Sequence, residues 1–128
     1  MRDLASNIST ALALSPAVLS ATATGGAVDL QGFRSAALVV TTGAIVSAGD
    51  FTAKLQHSHT STAGDFVDVS AADLVGAFPA SLAADSVVEV GYIGSRRFVR
   101  TVITRNGGTS IAASATVIRG NPAIRPAA

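Results

Sequence analysis

The sequence contains no cysteine and no tryptophan, and it has few aromatic or charged residues. The absence of cysteine excludes disulfide bonds, thiolate metal sites and cysteine nucleophiles. Charged residues make up 13% of the chain, about half the usual share. A coiled coil is therefore disfavoured, because it needs flanking charges. A hydrophobic content of 48% with so little charge also disfavours a disordered chain.

Most of the 128 residues are small or β-branched. Alanine, serine, valine, glycine and threonine together supply 77 of them. The length is that of one domain, and its core must be built with few large side chains. We therefore expect contacts with a partner surface to contribute to the stability of the protein.

Alternation of apolar and polar residues predicts strands along most of the chain. Residues 51–58 carry the clearest signal, with Phe51, Ala53, Leu55 and His57 on one face. Residues 35–42 are rich in β-branched side chains and predict a buried strand that ends at Gly43.

The last third of the chain predicts a meander. Residues 87–93 and 97–104 flank Gly94-Ser95, which is typical of a hairpin with a short glycine turn. Asn106-Gly107-Gly108 predicts a second turn, and residues 111–119 predict the returning strand.

The whole pattern predicts an all-β fold of about eight short antiparallel strands: a β-sandwich, a jelly roll or a small barrel. We divide this single domain into an N-terminal strand or arm (1–27), a sandwich core (28–120) and a C-terminal tail (121–128). Pro122 and Pro126 lack a backbone donor and fix φ, so we expect the tail to be an extended arm without regular structure.

The uncharged stretch of residues 4–28 raises the question of a membrane span or a signal peptide. Dispersed serine and threonine residues and Pro16 disfavour a membrane span. Asp3 disfavours the basic start of a signal peptide. We interpret the stretch as part of the mature domain and expect no membrane contact.

Few residues offer chemistry. His57 and His59 could share a metal with Asp65 or Asp68, but two histidines at a strand end are usually polar residues that enter a loop. Ser58, His57 and Asp65 are too common in type to indicate a catalytic triad, and no nucleophile elbow occurs. We therefore expect no catalytic residue, no metal and no cofactor, and a protein that is not an enzyme.

Charge is balanced overall at +1 but unevenly distributed. Residues 1–89 hold all eight acidic residues against three basic ones, whereas residues 90–128 hold six arginines and no acid. The arginine-bearing strands could lie beside the acidic strands in one sheet, or they could form a binding face. Only Tyr92 and Phe98 accompany these arginines, so we expect no direct binding of nucleic acid.

Arginine forms bidentate pairs with carboxylates, which makes the basic segment the best candidate for partner contact. We choose Arg96 and Arg97 at the predicted hairpin turn, Arg100 and Arg105 on the following strand, and Arg125 in the tail. Charge reversal at Arg96 and Arg97 is expected to weaken partner binding without unfolding the domain.

Several segments resemble small virion proteins that are encoded with tailed-phage head genes. They are residues 51–58, the Phe-Val-Asp-Val of residues 66–69, residues 90–100 and the closing Gly120-Asn121-Pro122. The resemblance covers residues 28–122. Within that group the chain is most similar to the cement, or head-decoration, proteins of Bordetella-type short-tailed phages.

The resemblance implies a jelly roll that dimerises on the outside of a capsid and clamps neighbouring major capsid protein subunits without covalent cross-links. It implies no catalytic residue. The expected partners are the major capsid protein and a second copy of the chain, and the expected location is the capsid exterior of a virion made in the bacterial cytoplasm. The alternative is a head–tail connector or tail-tube component of the same virion.

Overall fold

The structure is a computed structural model and describes residues 3–122. Within them lie two short 3-10 helices, Ala63–Asp65 and Ala71–Asp73, and ten β-strands. In chain order they are β1 (Ile8–Leu19), β2 (Ala23–Thr24), β3 (Val28–Asp29), β4 (Phe33–Val46), β5 (Asp50–Ser58), β6 (Val67–Asp68), β7 (Leu74–Val75), β8 (Val87–Tyr92), β9 (Phe98–Gly107) and β10 (Ser110–Pro122).

All strand pairs are antiparallel and form two sheets. The first sheet has the order β1-β10-β4-β8-β7, and the second has the order β2-β9-β5-β6, with β3 also paired to β9. The two sheets pack as a sandwich, which confirms the predicted all-β class. No helix within residues 3–122 has the length and hydropathy needed to cross a membrane.

The core lies between the sheets and follows the alternation of the sequence. On β5 the predicted face of Phe51, Ala53, Leu55 and His57 is buried, while the intervening residues are half-exposed. Leu38 and other side chains of the first sheet meet that face in one hydrophobic cluster. Alternation with a period of two thus identifies the inner face correctly.

The predicted hairpin of residues 87–104 is wrong. β8 pairs with β4 and β7 in the first sheet, whereas β9 pairs with β2, β3 and β5 in the second. The five residues 93–97 cross from one sheet to the other, and five residues easily span the roughly 10 Å between stacked sheets. β10 then returns to the first sheet, so the predicted meander is wrong as well.

Two predicted strand ends also differ from the structure. β4 continues through Gly43, which lies opposite a register shift in β10 and therefore marks a bulge and not an end. β10 continues through Asn121 to Pro122, which pairs with Phe33, so the irregular tail predicted from residue 121 begins too early. Proline is tolerated there because β1 pairs with β10 only as far as Gly120, so Pro122 lies on a free edge where no backbone donor is needed.

Candidate functional site

The structure describes four of the five predicted contact arginines and brings only Arg96 and Arg97 together. Arg96 and Arg97 lie in the segment that crosses between the sheets. Arg100 donates from Nε to the Gln56 side-chain oxygen at 2.8 Å. Arg105 lies on β9, seven residues after Phe98, the first residue of that strand. It is therefore about 23 Å from the crossing segment of residues 93–97. Arg125 lies outside the described residues.

A second crossing segment lies against the first. Residues 30–32 lead from β3 in the second sheet to β4 in the first, and Gly32 turns the chain with a φ of +90°. The Leu30 N–H donates to the Arg97 carbonyl at 2.8 Å and ties the two segments together. We call this part of the sandwich the crossing end.

An ion pair reinforces the crossing end. Arg97 donates from Nε and Nη2 to the two carboxylate oxygens of Asp29, at 2.9 and 2.7 Å. The hydrogen bonds from Arg97 are the main reason that the pKa of Asp29 falls to about 2, and a hydrogen bond from the Gln31 N–H also lowers it. The charge of Arg97 is therefore matched within the molecule.

The ion pair predicts a specific pH dependence of stability. The pKa of Asp29 falls from 3.8 to about 2 on folding, so the ionised form stabilises the fold. This contribution is complete above pH 3.8 and is lost as the pH falls through 2. In urea unfolding at pH 5 and pH 2.5, Asp29→Asn should lose less stability on acidification than the wild-type protein.

Asp85→Asn is the matched control, because it removes an exposed carboxylate that has no ion pair among the described residues. This variant should keep the wild-type loss of stability between pH 5 and pH 2.5. A wild-type loss in Asp29→Asn as well would contradict the role assigned to the Arg97 ion pair.

The crossing end contains a cleft of about 400 Å³. Three arginines and one histidine line it, and no acidic residue does. The lining residues are Leu30, Gln31, Gly32, Phe33, Arg34, Ser35, Ala36, His59, Tyr92, Gly94, Ser95, Arg96 and Arg97.

Arg34 is the lining arginine that sequence reasoning missed. Arg34 lies in the first two thirds of the sequence, where acidic residues outnumber basic ones, so the net charge of that segment does not reveal it. The signal that could have found it is Gly32, a turn residue that brings the start of β4 to the same end as Arg96. Within residues 3–122, the guanidinium groups of Arg34 and Arg96 have no hydrogen-bond or ion-pair partner.

Tyr92 lines the cleft and is hydrogen-bonded to the backbone of Arg96, which also lines it. Its hydroxyl is hydrogen-bonded to His57 Nδ1 at 2.8 Å and accepts the backbone N–H of Arg96 at 3.2 Å. Burial lowers the pKa of His57 and raises the pKa of Tyr92, so both groups are neutral at pH 7. A Cβ on Gly94 would overlap the Tyr92 ring, so only glycine allows this close approach. The backbone position of Arg96 is thereby held in place.

The two histidines have different surroundings. His57 is buried against Tyr92 with the rings in an edge contact, whereas His59 is exposed at the cleft. Within the described part of the chain, no group of three or more histidine or carboxylate side chains could hold a metal ion.

No protein-family model matches the chain, and no curated protein matches its sequence. Solved structures share its fold. One is the SPBc2 prophage-derived protein YomS, with a TM-score of 0.52 and 12% identity over 88% of this chain and 92% of that one. Another is a chain of infectious bursal disease virus, Gx strain, with a TM-score of 0.52 and 15% identity over 93% of this chain. This chain spans 35% of that viral chain. At these identities the likeness shows the fold alone.

Proposed function

We propose that the chain is a structural protein of a phage virion, which binds the outside of the capsid and cements neighbouring major capsid protein subunits. The observation that carries the proposal is a sandwich fold shared with a prophage-derived protein and with a chain of a virus. The resemblance of residues 28–122 to phage cement proteins points in the same direction.

The proposed role requires contact and no catalysis. Each copy contributes weak contacts, and many such contacts multiply across a lattice. We place the main contact at the cleft of the crossing end, because Arg34 and Arg96 have no ion-pair partner within residues 3–122 and can pair with acidic side chains of the capsid. Charge reversal at Arg97 would not test partner binding alone, because a glutamate at this position would face Asp29 and disturb the fold.

A second copy of the chain is the other proposed partner. β1 is an edge strand of twelve residues without a charge, and Leu12 and Val18 on it are 60% and 69% exposed. Register shifts and Pro16 interrupt this edge between Leu12 and Ala17, but uncharged edges pair readily with other strands, so the regular runs on either side are suited to join a second copy.

Sedimentation of the purified protein tests the proposed dimer. The wild-type chain should sediment as a dimer and Val18→Lys as a monomer, because a lysine on an edge strand blocks strand pairing. Val39→Lys is the control, since Val39 is half-exposed on β4 and pairs with Thr116 on one side and Glu89 on the other, so it lies on no free edge. A monomeric wild-type chain, or a dimer that withstands Val18→Lys, would rule out pairing through β1.

Imaging of the assembled particle tests the proposed function itself. Cementing requires many copies, arranged over the outer surface of the shell between major capsid protein subunits. A single ring of few copies at the vertex or along the tail would instead support the alternative of a head–tail connector or tail-tube component. Absence of the chain from the particle would refute both functions.

A further inference from the structure

We infer that the cleft of the crossing end binds the carboxylate side chains of an acidic peptide segment, with Arg34 and Arg96 as the ligand-binding groups. This inference deepens the proposed function, because it names the chemistry that the partner must present. Any protein partner that presents an acidic segment would satisfy the inference, which therefore does not depend on the identity of the capsid protein.

The first argument is the unbalanced charge of the cleft. Its lining holds three arginines and no acid. Asp29 matches one of them, Arg97, and the Asp29 backbone carbonyl also accepts a hydrogen bond from Arg119 at 3.0 Å. The charges of Arg34 and Arg96 remain without a partner among the described residues, and each guanidinium can bind a carboxylate with two hydrogen bonds.

The second argument is that the site is built before a ligand arrives. The bond between Leu30 and Arg97 joins the two crossing segments, and the Tyr92 hydroxyl holds the backbone of Arg96. A ligand therefore has to order only the two arginine side chains, which keeps the entropic cost of binding low. The volume of about 400 Å³ suits several side chains of an extended peptide.

The third argument favours a protein segment over nucleic acid. Arg119 covers the Phe33 ring at 4.8 Å, and Arg97 covers the Phe98 ring at 4.9 Å, while Tyr92 is buried. An arginine therefore covers one face of each phenylalanine ring, and the cleft offers fewer open aromatic faces than single-strand binding uses.

A titration with short peptides tests the inference. The probes are a capped peptide of four glutamates and a capped peptide of four glutamines, added to the full chain at low ionic strength. The glutamate peptide should shift the Nε–Hε NMR signals of Arg34 and Arg96, and the glutamine peptide should leave them unchanged. Arg34→Gln and Arg96→Gln should each weaken binding of the glutamate peptide about tenfold or more, as expected for the loss of charge-assisted hydrogen bonds.

Arg105→Gln is the matched control, because it removes the same charge about 23 Å away on β9 and should change the affinity less than twofold. Arg96→Lys keeps the charge but loses the planar fork, so it should bind with intermediate affinity. It also provides a second test if a neutral variant folds poorly.

Two results would overturn the inference. Equal weakening by all three glutamine variants would show that attraction is diffuse and not located in the cleft. Tighter binding of inorganic phosphate or a single-stranded oligonucleotide at the same residues would show a phosphate site. The peptide titration is independent of the shell. Peptide binding without shell binding would therefore refute only the proposed function, and shell binding without peptide binding would refute only this inference.

Discussion

Replacing Phe51 with alanine is expected to lower the free energy of unfolding by about 3–5 kcal/mol. Phe51 is fully buried on the inner face of β5, in a chain that has only five phenylalanines and no tryptophan. Many of the surrounding core residues are alanine and valine, whose short side chains cannot move into the cavity. Urea unfolding at pH 7 measures the loss, which is a large part of the 5–15 kcal/mol typical of a domain.

Val87→Ala is the control for this prediction, because Val87 is 66% exposed on β8 and its truncation should change stability by less than about 0.5 kcal/mol. Phe51→Leu leaves a smaller cavity and should cost less than the alanine variant. A loss below about 1 kcal/mol for Phe51→Ala would contradict the packing described between the two sheets.

Charge reversal in the cleft is expected to have the largest effect on shell binding. Arg34→Glu and Arg96→Glu should each weaken binding to capsids that lack the protein by about 100-fold, because attraction is replaced by repulsion of an acidic surface. Neither side chain has a partner among the described residues, so the thermal unfolding midpoint should change little. Co-sedimentation with purified shells measures the affinity.

Arg105→Glu is the matched variant for this experiment. It makes the same change in net charge at the opposite end of β9 and should weaken shell binding less than about threefold. Equal losses from Arg96→Glu and Arg105→Glu would show that the overall field of the chain governs binding, and the cleft would lose its assigned role.

The local patterns of the sequence predict the strands well. The inner face of β5 follows directly from alternating residues, because the side-chain period of a strand is two. The strand at β4 likewise follows from its β-branched residues, but only its face with Leu38, Val40 and Thr42 is buried, so the prediction of a buried strand holds for one face. These features depend on neighbouring residues alone, so they can be inferred without knowledge of the fold.

The partners of the strands could not be predicted in the same way. β8 and β9 both direct residues at a spacing of two into one core, and this spacing is the same whether the two strands form a hairpin or lie in opposite sheets. Gly94-Ser95 indicates only that the chain changes direction. The correct pairing depends on contacts between distant segments, such as β4 with β10.

Dependence on contacts between distant segments also explains why part of the candidate site could not be predicted. The basic segment pointed to Arg96 and Arg97 as neighbours, and the structure places both at the cleft. It could not show that Asp29, 68 residues earlier in the chain, takes up the charge of Arg97. Nor could it show that Arg34 joins Arg96, because that proximity depends on the two sheet-crossing segments lying together.

The most direct test of the central claim compares phage shells with and without this protein as they are heated. Shells that lack the protein should break at a temperature several degrees lower than complete shells, and addition of the purified wild-type chain should restore their resistance. Addition of Arg96→Glu at the same concentration should restore less. Equal survival of shells with and without the protein would contradict a cementing function.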